Sequence, residues 1–263
     1  MNHIWKAEDY HEHSSAQQEA AQELLEKIHL KGHEHILDVG CGDGKITASL
    51  TKHVPNGSVL GIDSSKEMID FAKETFPQEQ YQNLAFSLQD AKDLRYQERF
   101  DLIFSSFALQ WLPNLSLFFK GAYQSLKPSG YLAVTVPLGV SEALEQSIQK
   151  ITALKEWSSY FEGFNPGWHF RNAQEWKDSL ERSKFKSLQC KVVSQGETFS
   201  SRENFEEYVR SWFSYLKPLP EHLKEVFFKQ IIDRYLEIEP LLKTGEVAFR
   251  FSRLDIVASK AIL

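Results

Sequence analysis

Nine residues, Ile36-Leu37-Asp38-Val39-Gly40-Cys41-Gly42-Asp43-Gly44, constrain this chain more than any other stretch of it. A short apolar run ends in an acid and opens into glycines at alternate positions, after which a helix-like stretch begins. That order reads as a buried parallel strand turning tightly into the start of a helix. Glycine has no Cβ, so the turn can take positive φ and a ligand can lie directly against the backbone. The amides at the start of the helix would then face that ligand.

The spacing argues against a dinucleotide. A G-x-G-x-x-G turn needs a small residue at position 45, where this chain has Lys45. The carboxylate of Asp38 would also repel a pyrophosphate arriving at the same turn. It suits a ligand that carries an ammonium and no phosphate, and S-adenosylmethionine is such a ligand. The motif resembles the (E/D)-x-G-x-G-x-G turn of class I methyltransferases.

The segments that follow continue the alternation. After a helix ending near Lys52 and the turn Pro55-Asn56-Gly57, a second strand, Ser58 to Asp63, ends in an acid at a distance that suits two ribose hydroxyls. Taken alone, Asp63 also reads as the N-cap of a helix over Ser64–Thr75. A third strand, Leu84–Leu88, runs into Gln89-Asp90-Ala91, where Asp90 can accept from an adenine amine and Ala91 can offer its amide. The other reading of Asp90 is an ordinary turn aspartate. A fourth strand, Phe100–Ser106, precedes Phe107-Ala108-Leu109-Gln110-Trp111-Leu112-Pro113, then a helix over Leu115–Leu126, a turn at Lys127-Pro128-Ser129-Gly130 and a fifth strand, Tyr131–Val136. Short apolar strands alternating with helices predict a parallel sheet covered on both faces, with ligands at the carboxyl ends of the strands. Asp38, Asp63, Asp90 and Ser106 all fall at those ends.

Past Pro137 the alternation lapses. Helices are expected over 141–157 and 172–182, with an aromatic loop of Trp157, Tyr160, Phe161, Phe164, Trp168 and Phe170 between them. A sixth strand is expected around Leu188–Val193, helical structure over 201–240, and a last strand over about Ala248–Ala258, antiparallel at the sheet edge beside the fifth. Aromatics at that density in a Gly/Pro loop are unusual for a solvated connection.

Residues 36–137 carry a general likeness to class I S-adenosylmethionine-dependent methyltransferases. Three further stretches, Trp5…Tyr10…Gln17, Leu109-Gln110-Trp111-Leu112-Pro113 and Phe249 to Ala258, resemble the small-molecule carboxyl methyltransferases of the trans-aconitate, malonyl-carrier-protein and juvenile hormone acid types. The resemblance implies an α/β, Rossmann-like seven-stranded sheet, mostly parallel with an antiparallel last strand and helices on both faces. It implies one methyltransferase domain over 1–263: a cofactor-binding core over 1–137, helical and aromatic cap insertions at 138–187 and 196–246, and the final strand at 247–260. The cofactor set becomes Tyr10, Asp38, Gly40, Cys41, Gly42, Asp63, Ser64, Met68, Asp90, Ala91 and Ser106.

The expected reaction is O-methylation of a carboxylate on a small organic acid. Displacement at a sulfonium methyl needs the nucleophile in line and about 3 Å away. A carboxylate, with a pKa of about 4, is already ionised, so no general base is required. The Gln17 amide and the Trp111 indole N–H can hold it as neutral donors, without quenching its nucleophilicity as a tight arginine pair would. Gln and Trp at matching positions in the juvenile hormone acid type point the same way. Arg171, Arg210 and Arg250 are candidates for a second acidic group. An amine or phenol acceptor is the second reading, and a non-catalytic S-adenosylmethionine-binding module the third.

Composition narrows the partners. At 263 residues and 42% hydrophobic the chain can bury one good core, and its net charge of −6, with Lys and Arg scattered, argues against nucleic acid. The Ser-Ser-Phe-Ala run after the fourth strand lacks the Asn/Asp-Pro-Pro-aromatic signature of enzymes that methylate base or glutamine amines. His11-Glu12-His13 and His33-Glu34-His35 place their histidines at i and i+2, on different helix faces, and H-E-x-x-H is absent, so no metal is expected. The two cysteines form no disulfide framework. With no long apolar run and no signal peptide, a cytoplasmic protein, monomeric or weakly dimeric, is expected.

Overall fold

The computed structural model describes residues 15–260. Tyr10 and Trp5 lie outside the described residues, as do His11 and His13. Seven strands form one sheet: β1 (His35–Val39), β2 (Ser58–Asp63), β3 (Leu84–Leu88), β4 (Phe100–Ser106), β5 (Leu126–Pro137), β6 (Phe185–Phe199) and β7 (Val247–Lys260), in the order β3-β2-β1-β4-β5-β7-β6. The first five pair in parallel, and β7 runs antiparallel to both β5 and β6. Helices α1 (Ser15–Leu25), α2 (Lys45–Leu50), α3 (Lys66–Thr75), α4 (Ser116–Ser125), α5 (Glu142–Thr152), α6 (Ala173–Arg182), α7 (Arg202–Trp212) and α8 (Glu221–Ile238) complete the described fold.

Helices cover both faces of the sheet, as the alternation of strands and helices requires. On one face Leu37, Ile103, Leu132 and Ile256 pack with Phe118 and Phe119 of α4 and with Trp176 and Leu180 of α6. On the other, Ile36, Val59, Phe104 and Val257 meet Leu24 of α1, Ala48 of α2 and Ile69 and Ala72 of α3. A separate cluster joins α5, α7 and α8 to Trp157 and to Phe199, Val247 and Phe249 at the outer ends of β6 and β7. Helix α6 therefore belongs to the sheet core, whereas the division expected from sequence counted it in a 138–187 cap. The register places the cap: Pro137, the last residue of β5, faces Arg253, so residues 247–252 of β7 run past the carboxyl end of β5. At about 3.3 Å per residue this extension rises roughly 20 Å and carries the helices out over the strand ends.

Several local expectations change for physical reasons. The last strand is interior, with β6 at the edge, because residues 253–258 are buried continuously, as in a strand covered on both faces. Strand β6 extends over 185–199 with many exposed positions, Leu188 and Val192 among them, and so shows no apolar run to the eye. The expected turn at 127–130 is an excursion within β5, between the pairs Phe100–Leu126 and Leu102–Tyr131, with Ser129 at φ 62°. Helix α3 starts at Lys66 and is capped by Ser65, whose hydroxyl accepts from the Met68 amide at 3.3 Å. The 201–240 stretch is two helices broken around a short turn at Ser214–Leu216.

Candidate active site

The glycine turn joins β1 to α2 in left-handed backbone, with φ of 76° at Gly40 and 83° at Gly44. The Gly40 and Cys41 amides donate to the Ile62 carbonyl at 2.8 and 3.0 Å, which pins the turn against the end of β2. A Cβ on Gly40 would lie 2.1 Å from the Ala108 Cβ, so the strand tips of β1 and β4 approach through the missing side chain. Gly44 serves packing instead, since a Cβ there would strike Phe86 at 2.7 Å and Ala72 at 2.9 Å and hold the turn off β3 and α3. Gly40→Ala is expected to destabilise the fold by about 2–4 kcal/mol, from left-handed strain and the clash together. Urea unfolding of Gly40→Ala with and without Ala108→Gly checks this. The second change should return the clash part and leave the backbone part.

Three acids stand at the carboxyl ends of β1, β2 and β3. Asp38 is 2% exposed, accepts from Thr47 Oγ1 at 2.7 Å and meets no cation among the described residues. Burial pushes its carboxyl up to about 7, Thr47 holds it down in part, and Asp63 and Asp43 add to the rise. Asp63 accepts from the Gly42 amide at 3.1 Å and from the Ser65 amide at 2.8 Å, so it ties the tip of β2 to the glycine turn and is not the helix cap. Burial raises its pKa, against the pull of those amides and with the help of Asp90. Asp90 accepts from the Lys92 amide at 2.9 Å and pairs with the Lys92 ammonium at 3.1 Å, half-exposed.

The other positions expected at the cofactor differ in exposure. Ser64 is exposed, Ala91 is half-buried and Met68 is buried on the inner side of α3. The Ser106 Oγ is buried and makes no hydrogen bond among the described residues. The Cys41 thiol is buried, and burial with the neighbouring acids pushes its pKa well up, so it is no nucleophile. The site fits S-adenosylmethionine on these observations. A buried carboxylate short of a cation among the described residues matches an ammonium, and Ser106 keeps an unused hydroxyl at the tip of β4.

Beside this cradle, under the cap, lies a partly open cavity of about 80 Å³. Gln17 of α1 reaches it from one side, and Phe107, Gln110 and Trp111 reach it from the segment after β4. Trp168 and Phe170 enter from the aromatic loop, Tyr208 and Trp212 from α7, and Phe249 and Phe251 from the β7 extension. Trp168 is the hub, its ring 6.3 Å from Trp111, 6.0 Å from Trp212 and 5.6 Å from Phe170. Phe107 holds a φ of 51°, a strained conformation for a bulky residue, at the point where β4 gives way to the cavity wall.

No charged side chain lines the cavity among the described residues. The arginines expected to meet a second acid are engaged elsewhere. Arg171 donates to the carbonyls of Leu112, Pro113 and His169 at 2.8–2.9 Å and pins the aromatic loop to the segment after β4. Arg210 pairs with Glu225 at 2.8 Å and lies over the Phe228 ring, and Arg250 is exposed on β7. The aromatic loop itself divides: Trp168 and Phe170 face the cavity, whereas Trp157 and Phe161 pack 5.1 Å from Phe227 in the cap core. Gln17 and Trp111, expected together from sequence, do share one cavity. Gln110, Trp212, Phe249 and Phe251 join them without a sequence signal that marks them as site residues, although Gln110 stands next to Trp111 in the same short motif.

Three comparisons bear on this arrangement. A family described as "Methyltransferase domain" matches residues 30–183. The trans-aconitate 2-methyltransferase of Escherichia coli is 27% identical over 264 residues, covering 97% of this chain and 98% of that protein. A putative methyltransferase from Bacillus halodurans C-125 superposes with a TM-score of 0.65 at 18% identity, covering 93% of this chain and 100% of that one. The phosphoethanolamine N-methyltransferase 2 of Haemonchus contortus, solved in complex with S-adenosyl-L-methionine, superposes at 0.58 and 17% identity, over 93% of this chain and 53% of that one. Among the described residues no helix is long and apolar enough to cross a membrane, and no three His, Cys, Asp or Glu side chains are grouped to hold a metal.

Proposed function

Because the chain belongs to the methyltransferase-domain family and is a class I S-adenosylmethionine-dependent methyltransferase, we propose that it methylates a carboxylate oxygen of a small organic acid. One observation carries this reading: Gln17, 7% exposed and with its buried Oε1 unpartnered among the described residues, shares with Trp111 a cavity at the tip of β4. A buried amide oxygen left unpaired is destabilising, so the side chain is held for something that enters.

The cofactor supplies an electrophilic methyl group on a sulfonium. In this reading Asp38 takes its ammonium, Asp63 its ribose hydroxyls and Asp90 its adenine. The Gln17 amide donates to one oxygen of the acid and leaves the other free to attack, while Trp111 sets the orientation of the carboxylate. The aromatic walls exclude water, which strengthens those hydrogen bonds and strips solvent from the attacking oxygen. Tyr208 is the one titratable side chain lining the described cavity, in keeping with a nucleophile that needs no base.

Gln17→Ala is expected to lower kcat/KM for the acid by about 10- to 100-fold, the worth of a hydrogen bond to a charged group in a buried site. The affinity for S-adenosylmethionine, measured by calorimetry, should stay within about twofold. Trp111→Phe keeps a ring on the wall and should reduce turnover less than Gln17→Ala. Unchanged turnover in both variants would sink the clamp. The second reading, an amine acceptor, draws on the rings of Trp111, Trp168 and Trp212, which suit a cation. Formation of S-adenosylhomocysteine across matched panels of acids and amines decides between them.

A further inference from the structure

Two polar atoms of the cavity wall are left over once the carboxylate is placed. Gln110 is 7% exposed, and its amide is fixed because Nε2 donates to the Phe107 carbonyl at 2.7 Å. Its backbone carbonyl accepts from the His169 amide at 2.8 Å, so the residue is locked to the aromatic loop as well. Its Oε1 is buried and has no partner among the described residues. Across the wall, the Trp212 indole N–H is likewise buried and unpartnered, its ring held by Tyr208 at 5.9 Å and Trp168 at 6.0 Å. Native folds leave few buried polar atoms unpaired, and each is destabilising. A spare acceptor and a spare donor thus sit on two residues that line the same cavity.

Their polarity matters. A carboxylate only accepts hydrogen bonds, so Gln110 Oε1, itself an acceptor, is the wrong partner for it. A second carboxylate has no cation to meet among the described lining residues and would be buried uncompensated. A hydroxyl fits, since it donates one proton and still accepts.

We propose that Gln110 and Trp212 are specificity-determining residues that read a neutral hydroxyl on the apolar body of the substrate, which makes that substrate an apolar monocarboxylic hydroxy acid and not a di- or tricarboxylate. The inference rests on the carboxyl reading above. The hydroxyl donates to Gln110 Oε1, the Trp212 N–H donates to the hydroxyl oxygen or a neighbouring neutral acceptor, and the Phe and Trp rings cover the rest. Analogues without the hydroxyl leave both atoms unpaired, which is why such a site discriminates against them.

The test uses the full chain with S-adenosylmethionine and follows S-adenosylhomocysteine. The probes are decanoate, hydroxydecanoates with the hydroxyl moved along the chain, phenylpropanoate with and without a ring hydroxyl, and trans-aconitate. At least one hydroxy acid should exceed its deoxy partner by about tenfold or more in kcat/KM, with trans-aconitate the poorest. Trp212→Phe, which removes the N–H and keeps an aromatic ring, should bring that ratio to within about threefold of unity. Gln110→Met should do the same, and if its melting curve shows it unfolded, Trp212→Phe alone decides. Acids turned over without a hydroxyl preference, a preference that survives in both variants, or trans-aconitate as the best substrate would overturn the proposal and leave the carboxyl reading standing. Turnover of amines and of no acid, with S-adenosylmethionine still bound in calorimetry, would overturn both.

Discussion

Asp38→Asn is expected to weaken S-adenosylmethionine binding by about 100-fold at pH 7.5 while making the ligand-free protein more stable at the same pH. Both effects come from one buried charge. Asp38 is 2% exposed, its one side-chain hydrogen bond among the described residues is from Thr47, and burial lifts its carboxyl to about 7 from the usual 3.8. An ammonium beside it supplies a charge-assisted contact of roughly 1.5–3 kcal/mol, which Asn cannot reproduce. The sign on stability is opposite. A carboxyl whose folded pKa lies above its unfolded value disfavours folding once it must ionise, so the ligand-free protein loses stability as pH rises from about 4 to about 7. Asn removes that loss. The melting temperature of the ligand-free variant should therefore exceed the original at pH 8, and the two should converge near pH 4. Binding has its own window: Asp38 must be ionised and the ligand's amino group, with a pKa of about 8, protonated, so affinity should peak between about pH 7 and 8. Calorimetric titrations across that range, on both proteins, check the peak and its flattening in Asp38→Asn. A variant that binds as tightly as the original would remove Asp38 from the cofactor site.

The residues that announce themselves in the sequence are those whose signal is local. Strands β1 to β5 are short apolar runs, four of them closed by Asp38, Asp63, Asp90 or Ser106, and each run carries its own boundary. The glycine turn is legible because positive φ at Gly40 admits few residue types. Ser65 is harder to see as the cap of α3, since Asp63, Ser64 and Ser65 stand in succession and only the fold decides which side chain accepts from Met68. The order of the last two strands is not local at all. It follows from residues 253–258 being covered on both faces while β6 keeps one side in solvent, a fact about neighbours far away in sequence. The cavity is of the same kind. Gln17 and Trp111 stand out by their chemistry and by likeness, whereas Trp212, Phe249 and Phe251 look like core residues until β7 is seen to run past Pro137 and lift the cap. Arg171 shows the converse: a loop arginine invites a substrate anion, yet its guanidinium is used on three backbone carbonyls.

Arg253→Met is expected to destabilise the protein by about 3–5 kcal/mol at neutral pH, a magnitude typical of stranding a buried charge. Arg253 is 1% exposed and donates to Asp255, Gln195 and Glu23, its Nε lying 3.0 Å from Asp255 Oδ1. Asp255, with a fully buried side chain, also accepts from Lys27 at 2.5 Å and Thr135 at 2.9 Å. Burial pushes its carboxyl up, but Arg253, Lys27 and Thr135 together outweigh burial and hold it below its ordinary value. A depressed folded pKa contributes stability above the unfolded value of about 4 and loses it as pH falls through the folded one. Without Arg253 that carboxyl is left mainly to Lys27, and the penalty should shrink as acid protonates it. Replacing the pair together, Arg253→Met with Asp255→Leu, leaves only the partly exposed Lys27 and Glu23 without these partners and should recover most of the loss. The network has a second consequence, because Glu23 in the last turn of the helix that carries Gln17, and Lys27 just beyond it, clamp that helix to β7. In Arg253→Met the KM for the acid should therefore rise more than the Kd for S-adenosylmethionine, since the helix that bears Gln17 loses an anchor at its far end while the Asp38 turn does not. Urea unfolding at pH 4 and pH 7, beside the two affinities, measures both effects. A single variant that loses less than about 1 kcal/mol, or a double variant worse than the single, would show that Arg253 and Asp255 do not hold α1 in place.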